Sequence, residues 1–178
     1  MKTNRREILI GIAVACLFSA SFASAAPLDL SPFKGKYNGT VTQVGPGGTQ
    51  TGTAVVQFKV PPSGTSAVID YTATVSDGMN TTVLPTSLAI AKNKSVAVTD
   101  LLVGIAGTNN AKPGTGRASK GRRKMTINAS NGEGISLSVS AVAKDLRNKR
   151  KLTLILISDD GVDPTTFTTI LKARLPRR

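Results

Sequence analysis

The sequence predicts an all-β domain, an antiparallel meander of about eight or nine strands that closes into a small barrel, with a two-sheet β-sandwich as the alternative. Apolar residues alternate with polar ones in segment after segment, which is the pattern of strands with one buried face. Turn residues separate these segments at the short intervals typical of barrels and sandwiches. After the first 25 residues no stretch shows sustained 3.6-residue periodicity, and that part of the chain has 20 threonines, a β-branched residue that suits strands.

The first 25 residues resemble a bacterial export signal. A basic start that includes Arg5 and Arg6 precedes an apolar run over residues 8–18, and Ala23-Ser24-Ala25 fits a small-x-small cleavage site. Cleavage after Ala25 leaves residues 26–178 as a single β domain. We therefore expect an exported protein of the periplasm, the cell surface or the extracellular space, with no transmembrane helix in the mature chain.

Two export routes stay open. The arginine pair resembles a twin-arginine signal, and the basic start of a general secretory signal explains the same residues. Lipid anchoring at Cys16 is not expected, because Ala13 stands where a lipoprotein signal usually has Leu and the apolar run continues past Cys16.

The strongest strand signal lies in the hairpin over residues 134–158. Its first half places apolar residues on one face (Ile135, Leu137, Val139, Ala141 and Ala143), and its second half does the same (Leu152, Leu154 and Leu156). The two halves are predicted to pair antiparallel and to offer a continuous apolar surface that the other strands must cover.

The other strands follow in order along the chain. They are predicted at about 35–43, 50–60, 66–75, 80–91, 95–103, 122–130 and 165–175. Pro85 interrupts the fourth, which predicts an edge strand or a bent one. Residues 104–121 are rich in Gly, Lys and Arg and are predicted to form one long mobile loop, since so long a break inside a compact domain is usually functional or disordered.

The start of the first predicted strand resembles a known family. The segment Phe33-Lys34-Gly35-Lys36-Tyr37 is similar to the Gly-x-Trp entry of lipocalin-type barrels, with Tyr37 at the Trp position. The resemblance covers these few residues only. It implies an up-and-down barrel and carries no ligand with it.

The chain is strongly basic, with 23 Lys and Arg against 10 Asp and Glu and a formal net charge of +13. Its basic residues fall around residues 112–124, around residues 144–151 and at the C-terminus. The candidate anion-binding residues are Lys112, Arg117, Lys120, Arg122, Arg123, Lys124, Arg147, Lys149, Arg150 and Lys151. If the groups converge at one end of a barrel, their field attracts a polyanion. The alternative is that charged loops serve solubility alone.

Several functional classes lose support from residues that the sequence lacks. It has no His or Trp, and its one Cys lies in the predicted signal, so catalysis by His or Cys is excluded in the mature chain. Nucleic acid is not an expected partner, because most of the few aromatic residues fall on predicted core faces and the basic loops contain none. No cofactor or metal site is predicted. Asp159, Asp160 and Asp163 share one turn that calcium could use, but an ordinary hairpin turn explains the same residues.

Two hypotheses for function remain. The first is a non-enzymatic binding or structural module of the bacterial envelope, whose basic surface faces an anionic partner such as polysaccharide, lipid headgroups or another polyanion. The second is a small hydrolase that uses Asp or Ser–Lys chemistry in the mouth of a barrel. A polar cavity favours the hydrolase, and an interior filled by apolar side chains favours the module.

Overall fold

The computed structural model describes residues 28–76, 78–103, 111–146 and 149–174. Within these ranges the chain forms a short 3-10 helix, Ser31–Phe33, and ten strands. The strands are β1 (Gly35–Gly45), β2 (Gly48–Lys59), β3 (Ala67–Ser76), β4 (Thr81–Ile90), β5 (Ser95–Val98), β6 (Gly114–Lys120), β7 (Lys124–Ser130), β8 (Ser136–Leu146), β9 (Lys149–Asp159) and β10 (Thr165–Arg174).

Each strand pairs antiparallel with its neighbours in sequence, and β10 pairs antiparallel with β1. The sheet is therefore a closed up-and-down barrel, which leaves no free lateral edge of the kind an open sheet has. The predicted all-β antiparallel meander and its closure into a barrel are confirmed, and the sandwich alternative is not formed.

The prediction of one long loop over residues 104–121 is wrong in its second half, because Gly114–Lys120 forms β6 between β5 and β7. The inward positions of this strand are Gly114, Gly116 and Ala118, so its inner face gives almost no apolar signal. A Cβ at Gly116 would lie 2.0 Å from the carbonyl oxygen of Asn128 in β7. The close approach of the two strands therefore requires glycine there, and residues 104–110 lie outside the described residues.

Closure of the barrel requires an even number of strands. A meander in which all neighbours run antiparallel can close antiparallel only with an even number of strands, and β6 raises nine predicted strands to ten. Counting β6 as a strand also reverses the direction of every later strand compared with the predicted nine-strand meander.

The interior of the barrel is apolar. The predicted inward residues of the hairpin are buried except Ile135, which is partly buried, and the register places Val139 opposite Leu156 and Ala141 opposite Leu154. Tyr37, Phe58, Tyr71 and Phe167 fill the barrel from β1, β2, β3 and β10, with Tyr71 and Phe167 in an edge-to-face contact. At about 25 cal/mol per Å² of buried apolar surface, this core is the main source of stability for a domain without disulfides.

The N-terminal segment closes one end of the barrel. Leu28, Leu30 and Phe33 are buried, at 4%, 0% and 0% exposure. The backbone N–H of Leu30 donates to Gly64 O at 2.7 Å, and the hydroxyl of Tyr37 donates to Phe33 O at 2.9 Å. We call residues 28–33 the plug.

Residues after β5 cover the opposite end. β5 ends at Val98 rather than at the predicted residue 103, and Leu101, Leu102 and Val103 turn inward and are buried. The hydroxyl of Ser158 donates to the carbonyl oxygen of Leu101. Both ends of the barrel therefore carry buried apolar residues from segments outside the strands.

Pro85 is accommodated because β5 is short. β4 pairs with β3 along its whole length but with β5 only from Leu88 to Ile90. Pro85 therefore lies opposite Thr72 of β3, and among the described residues it has no ladder partner on its β5 side. The predicted edge or bent strand is therefore an interior strand of the barrel whose first half is paired on one side in the described ladder.

Candidate anion-binding end

The charged residues of the barrel divide between its two ends. Because the strands alternate in direction, residues at the start of odd strands and the end of even strands meet at one end. This is the end that the plug covers, and we call it the basic end. Its described cations are Lys34, Lys36, Lys59, Lys92, Lys94, Lys120, Arg122, Arg123, Lys124, Lys144, Lys149, Arg150, Lys151 and Lys172.

The opposite end has the reverse balance. Among the described residues it carries five acids, which are Asp100, Glu133, Asp159, Asp160 and Asp163, and its one described cation is Lys112. The barrel is therefore polarised along its axis. This concentration of cations at one end is the condition under which their field attracts a polyanion.

Each described acid near the basic end is already in an ion pair. Asp70 Oδ2 lies 2.7 Å from Lys59 Nζ, and the hydrogen bonds from Lys59 and Ser87 lower the pKa of Asp70. Asp29 Oδ2 lies 3.6 Å from Lys120 Nζ, and hydrogen bonds from Ser31, with help from Lys120, lower its pKa.

The third acid of this end, Asp145, lies between two arginines. Its Oδ1 is 2.6 Å from Arg150 Nε, and its Oδ2 is 3.4 Å from Arg123 Nη2. Three carboxylates thus pair with four of the cations at this end, and exposed lysines and arginines remain without a carboxylate partner among the described residues.

Arg150 and Lys120, two of the predicted anion-binding residues, hold the plug in place. The side chain of Arg150 is only 18% exposed; it donates to Asp145 and to the carbonyl oxygen of Pro32 at 2.5 Å. The hydrogen bond to Asp145 raises the pKa of Arg150. The side chain of Lys120 is 12% exposed beside Asp29. Both cations therefore have structural partners and contribute to the field rather than to direct contact.

The other predicted residues separate by position. Arg122, Arg123, Lys124 and Lys149 are exposed at the basic end, and Lys151 is half-buried there. Arg117 lies on the outer wall of β6 opposite Ser95. Lys112 lies at the opposite end, where its backbone N–H donates to Asp100 Oδ1 at 3.3 Å. Arg147 lies outside the described residues.

Other basic residues join this end although they were not among the candidates. Lys34 and Lys36 flank the start of β1, Lys92 and Lys94 occupy the β4–β5 turn, and Lys172 lies near the end of β10. Lys172 belongs to the C-terminal basic group, whereas the other four are isolated in sequence, so no run of charge marks them. The alternation of strand direction is the signal that finds them.

The acidic turn at the opposite end has a structural explanation. The backbone N–H of Gly161 donates to Asp159 Oδ1 at 2.8 Å, and those of Val162 and Asp163 donate to Asp160 Oδ1 at 3.0 Å. These bonds to the backbone lower the pKa of Asp160. The carboxylates stabilise the hairpin turn, and in the described part of the chain no three ligating side chains group around a metal position.

A cleft on the outer wall holds the groups that most resemble a hydrolytic site. It has a volume of about 500 Å³ and is lined by Asp70, Ser87, Thr99 and Asp100, among others. Ser87 donates to Asp70 Oδ1 at 2.9 Å. Because the pKa of Asp70 is lowered, this carboxylate is a weak base toward the serine hydroxyl. The arrangement is that of an ion pair with a supporting hydroxyl.

No protein-family model matches the sequence, and no curated protein matches it significantly. Function is therefore inferred from the fold and from the positions of the charged residues. In residues 28–76, 78–103, 111–146 and 149–174, no helix combines the length and the apolar character needed to cross a bilayer.

Proposed function

We propose that the chain is an exported, non-enzymatic β module of the bacterial envelope, and that its basic end binds an anionic partner. The partner classes are polysaccharide, lipid headgroups or another polyanion. We include export in the proposal because the first 25 residues resemble a bacterial export signal.

The observation that carries the proposal is the axial separation of charge. Charge that serves solubility alone is expected to be mixed over the surface, whereas here cations collect at one end and acids at the other. A field of one sign over one face raises the local concentration of an oppositely charged partner and speeds its association. The three acids near this end leave most of the exposed cations unneutralised.

The filled interior supports a binding module over a hydrolase in the barrel mouth. The described inward positions are mostly apolar, and the buried polar side chains are Thr86, Ser158, Thr165 and Thr169, none of them ionisable at neutral pH. Apolar residues of the plug and of residues 101–103 also occupy the two ends. A polar cavity open to substrate, which the hydrolase hypothesis requires, has no counterpart among the described interior residues.

Retention on immobilised heparin tests the proposal with a matched pair of variants. The protein should bind at low salt and elute as salt rises, since released counterions drive the association. Arg122→Gln, which removes a cation of the basic end, should elute at lower salt. Lys112→Gln, which removes the described cation of the opposite end, should elute with the unmodified protein. Failure to bind at low salt, or an equal shift for both variants, would contradict the proposal.

A further inference from the structure

We propose that three lysines on the outer wall of β8, β9 and β10 form the binding site for a linear acidic polysaccharide. They are Lys144, Lys151 and Lys172, and we call them the lysine ladder. This inference rests on the proposed function, which it narrows to one class of partner and one part of the wall.

The strand register places the three lysines in a single row. Lys151 lies directly opposite Lys144 on β8 and directly opposite Lys172 on β10. Directly opposite residues have Cβ atoms about 4.5–5.5 Å apart. Lys144 and Lys172 are exposed, and Lys151 is half-buried between them. No described carboxylate lies within ion-pair distance of any of the three.

Such a row does not serve the stability of the barrel, because like charges directly opposite each other destabilise a sheet. Four other cations near the basic end are paired with acids: Lys59 with Asp70, Lys120 with Asp29, and Arg123 and Arg150 with Asp145. The ladder lacks such a partner within the described chain. An anion from outside removes its repulsion.

Because the three lysines lie in a row, they favour a linear anion. Neighbouring strands lie about 4.7–4.9 Å apart, which is close to the length of one pyranose residue. A polymer with one carboxylate on each sugar therefore presents one charge to each lysine. Lysine is a compact, hydrated point charge with a flexible stem, which suits a carboxylate that turns with its sugar ring, whereas rigid bidentate recognition uses arginine.

Neutral polar groups flank the row. Asn38 of β1 lies opposite Lys172 and extends the row by one strand. Thr153 follows Lys151 on the same face of β9, between Val142 of β8 and Ile170 of β10. These side chains supply an amide and a hydroxyl beside the charged groups, at positions where a sugar chain carries hydroxyls.

Nucleic acid and a bilayer fit this wall less well. Phe33, Tyr37, Phe58, Tyr71 and Phe167 are all buried, at 0–2% exposure, so they offer no platform on which bases stack.

A flat bilayer meets a convex barrel wall along a narrow strip. The apolar side chains around the ladder are Val142, Leu146 and Ile170, which are 41–42% exposed on strands and do not project from loops. A flexible chain follows the row across the strands, and it is the partner that the geometry favours.

Titration with oligogalacturonates of graded length tests the ladder. At low salt the affinity should rise steeply up to the trisaccharide, one sugar for each ladder lysine, and more slowly beyond it. Lys151→Gln should weaken trisaccharide binding by roughly tenfold, because it removes the central charged contact. Lys92→Gln removes the same charge from the β4–β5 turn, away from β8–β10, and should leave the affinity within about twofold.

A second readout separates lost contact from lost structure. Lys151→Gln should raise the midpoint of thermal unfolding, because it removes repulsion within the row, so weaker binding by this variant cannot come from unfolding. Lys151→Arg should keep most of the affinity. An equal loss for Lys151→Gln and Lys92→Gln overturns the ladder and leaves the proposed function standing.

Two further probes distinguish the partner classes. Binding to phosphatidylglycerol vesicles without binding to oligogalacturonates assigns a lipid surface and overturns the polysaccharide inference alone. If heparin, oligogalacturonates and vesicles all fail to bind at low salt, the ladder and the proposed function both fail.

Discussion

Truncating Leu30 should destabilise the whole barrel, because the plug is part of its core. Leu30 is fully buried and its backbone is tied to Gly64. Leu30→Ala removes three carbon atoms, at about 0.8 kcal/mol for each buried methylene. The cavity that remains raises the expected loss to about 2–5 kcal/mol. For a domain of this size, 1 kcal/mol moves the unfolding midpoint by about 2–4 °C, so the midpoint should fall by roughly 5–15 °C.

Circular dichroism during urea and thermal unfolding measures this loss, since the chain has no Trp to report by fluorescence. Leu146→Ala is the matched control, because Leu146 is 42% exposed at the end of β8. It should change the free energy of unfolding by less than about 0.5 kcal/mol. A Leu30→Ala loss no larger than that of the control would refute the packing of the plug into the basic end.

Three other perturbations test the strand geometry and the ion pairs. Gly39→Ala should cost on the order of 1–3 kcal/mol or more in urea unfolding, because its Cβ would lie 1.9 Å from the carbonyl oxygen of Ile170 where β1 and β10 close the barrel. Asp70→Asn should flatten the loss of stability in acid, measured as the unfolding midpoint against pH. A lysine and a serine hold the pKa of Asp70 below its ordinary value of 3.8, so its contribution is complete above that value and is lost as the pH falls through the lower folded-state pKa. Limited trypsin should cut after Arg122 or Arg123, in the exposed β6–β7 turn, before it cuts within β6.

Each of these predictions has an outcome that contradicts it. Gly47→Ala is the control and should leave the free energy of unfolding nearly unchanged, because nothing lies within 4 Å of a Cβ at that position. If Gly39→Ala changes the free energy of unfolding no more than this control does, β1 and β10 are farther apart than the structure places them. An unchanged acid limb for Asp70→Asn would mean that its pair with Lys59 has no net effect on stability. Initial cleavage after Arg117 would show that β6 opens readily.

The sequence predicted the fold where apolar side chains alternate and missed it where glycine replaces them. The hairpin of β8 and β9 was predicted because both strands bury Leu, Val and Ala on one parity. β6 was missed because Gly114 and Gly116 occupy its inner face. A close approach between two backbones leaves no trace in a hydrophobic pattern.

That one strand decides which of the cations meet at one end of the barrel. With β6 counted as a loop, residues 122–124 and Lys149 would both fall at the end opposite Lys34. With β6 in the sheet, β7 begins at the basic end and brings Arg122 and Lys124 to the other cations. Residues 122–124 and 144–151 share an end in either case, but their convergence with Lys34, Lys36, Lys92 and Lys94 required the correct strand count.

The roles of Arg150 and the plug differ in how far sequence could reveal them. Arg150 shares the parity of Leu152, Leu154 and Leu156, so the alternation of β9 already directs its side chain inward. The plug gives no such signal. Leu28, Leu30 and Phe33 have no strand or helix period, and only the closed barrel supplies the surface on which they pack.

Mapping which lysines a bound polyanion covers tests most directly the claim that the partner binds at the basic end. Lysine acetylation with and without heparin at low salt, read by mass spectrometry, reports each exposed amine separately. We predict that heparin protects Lys36, Lys94, Lys124 and Lys149, which surround the basic end, and leaves Lys112 as reactive as in the free protein. Equal protection of Lys112, or no protection at the basic end, would contradict the account.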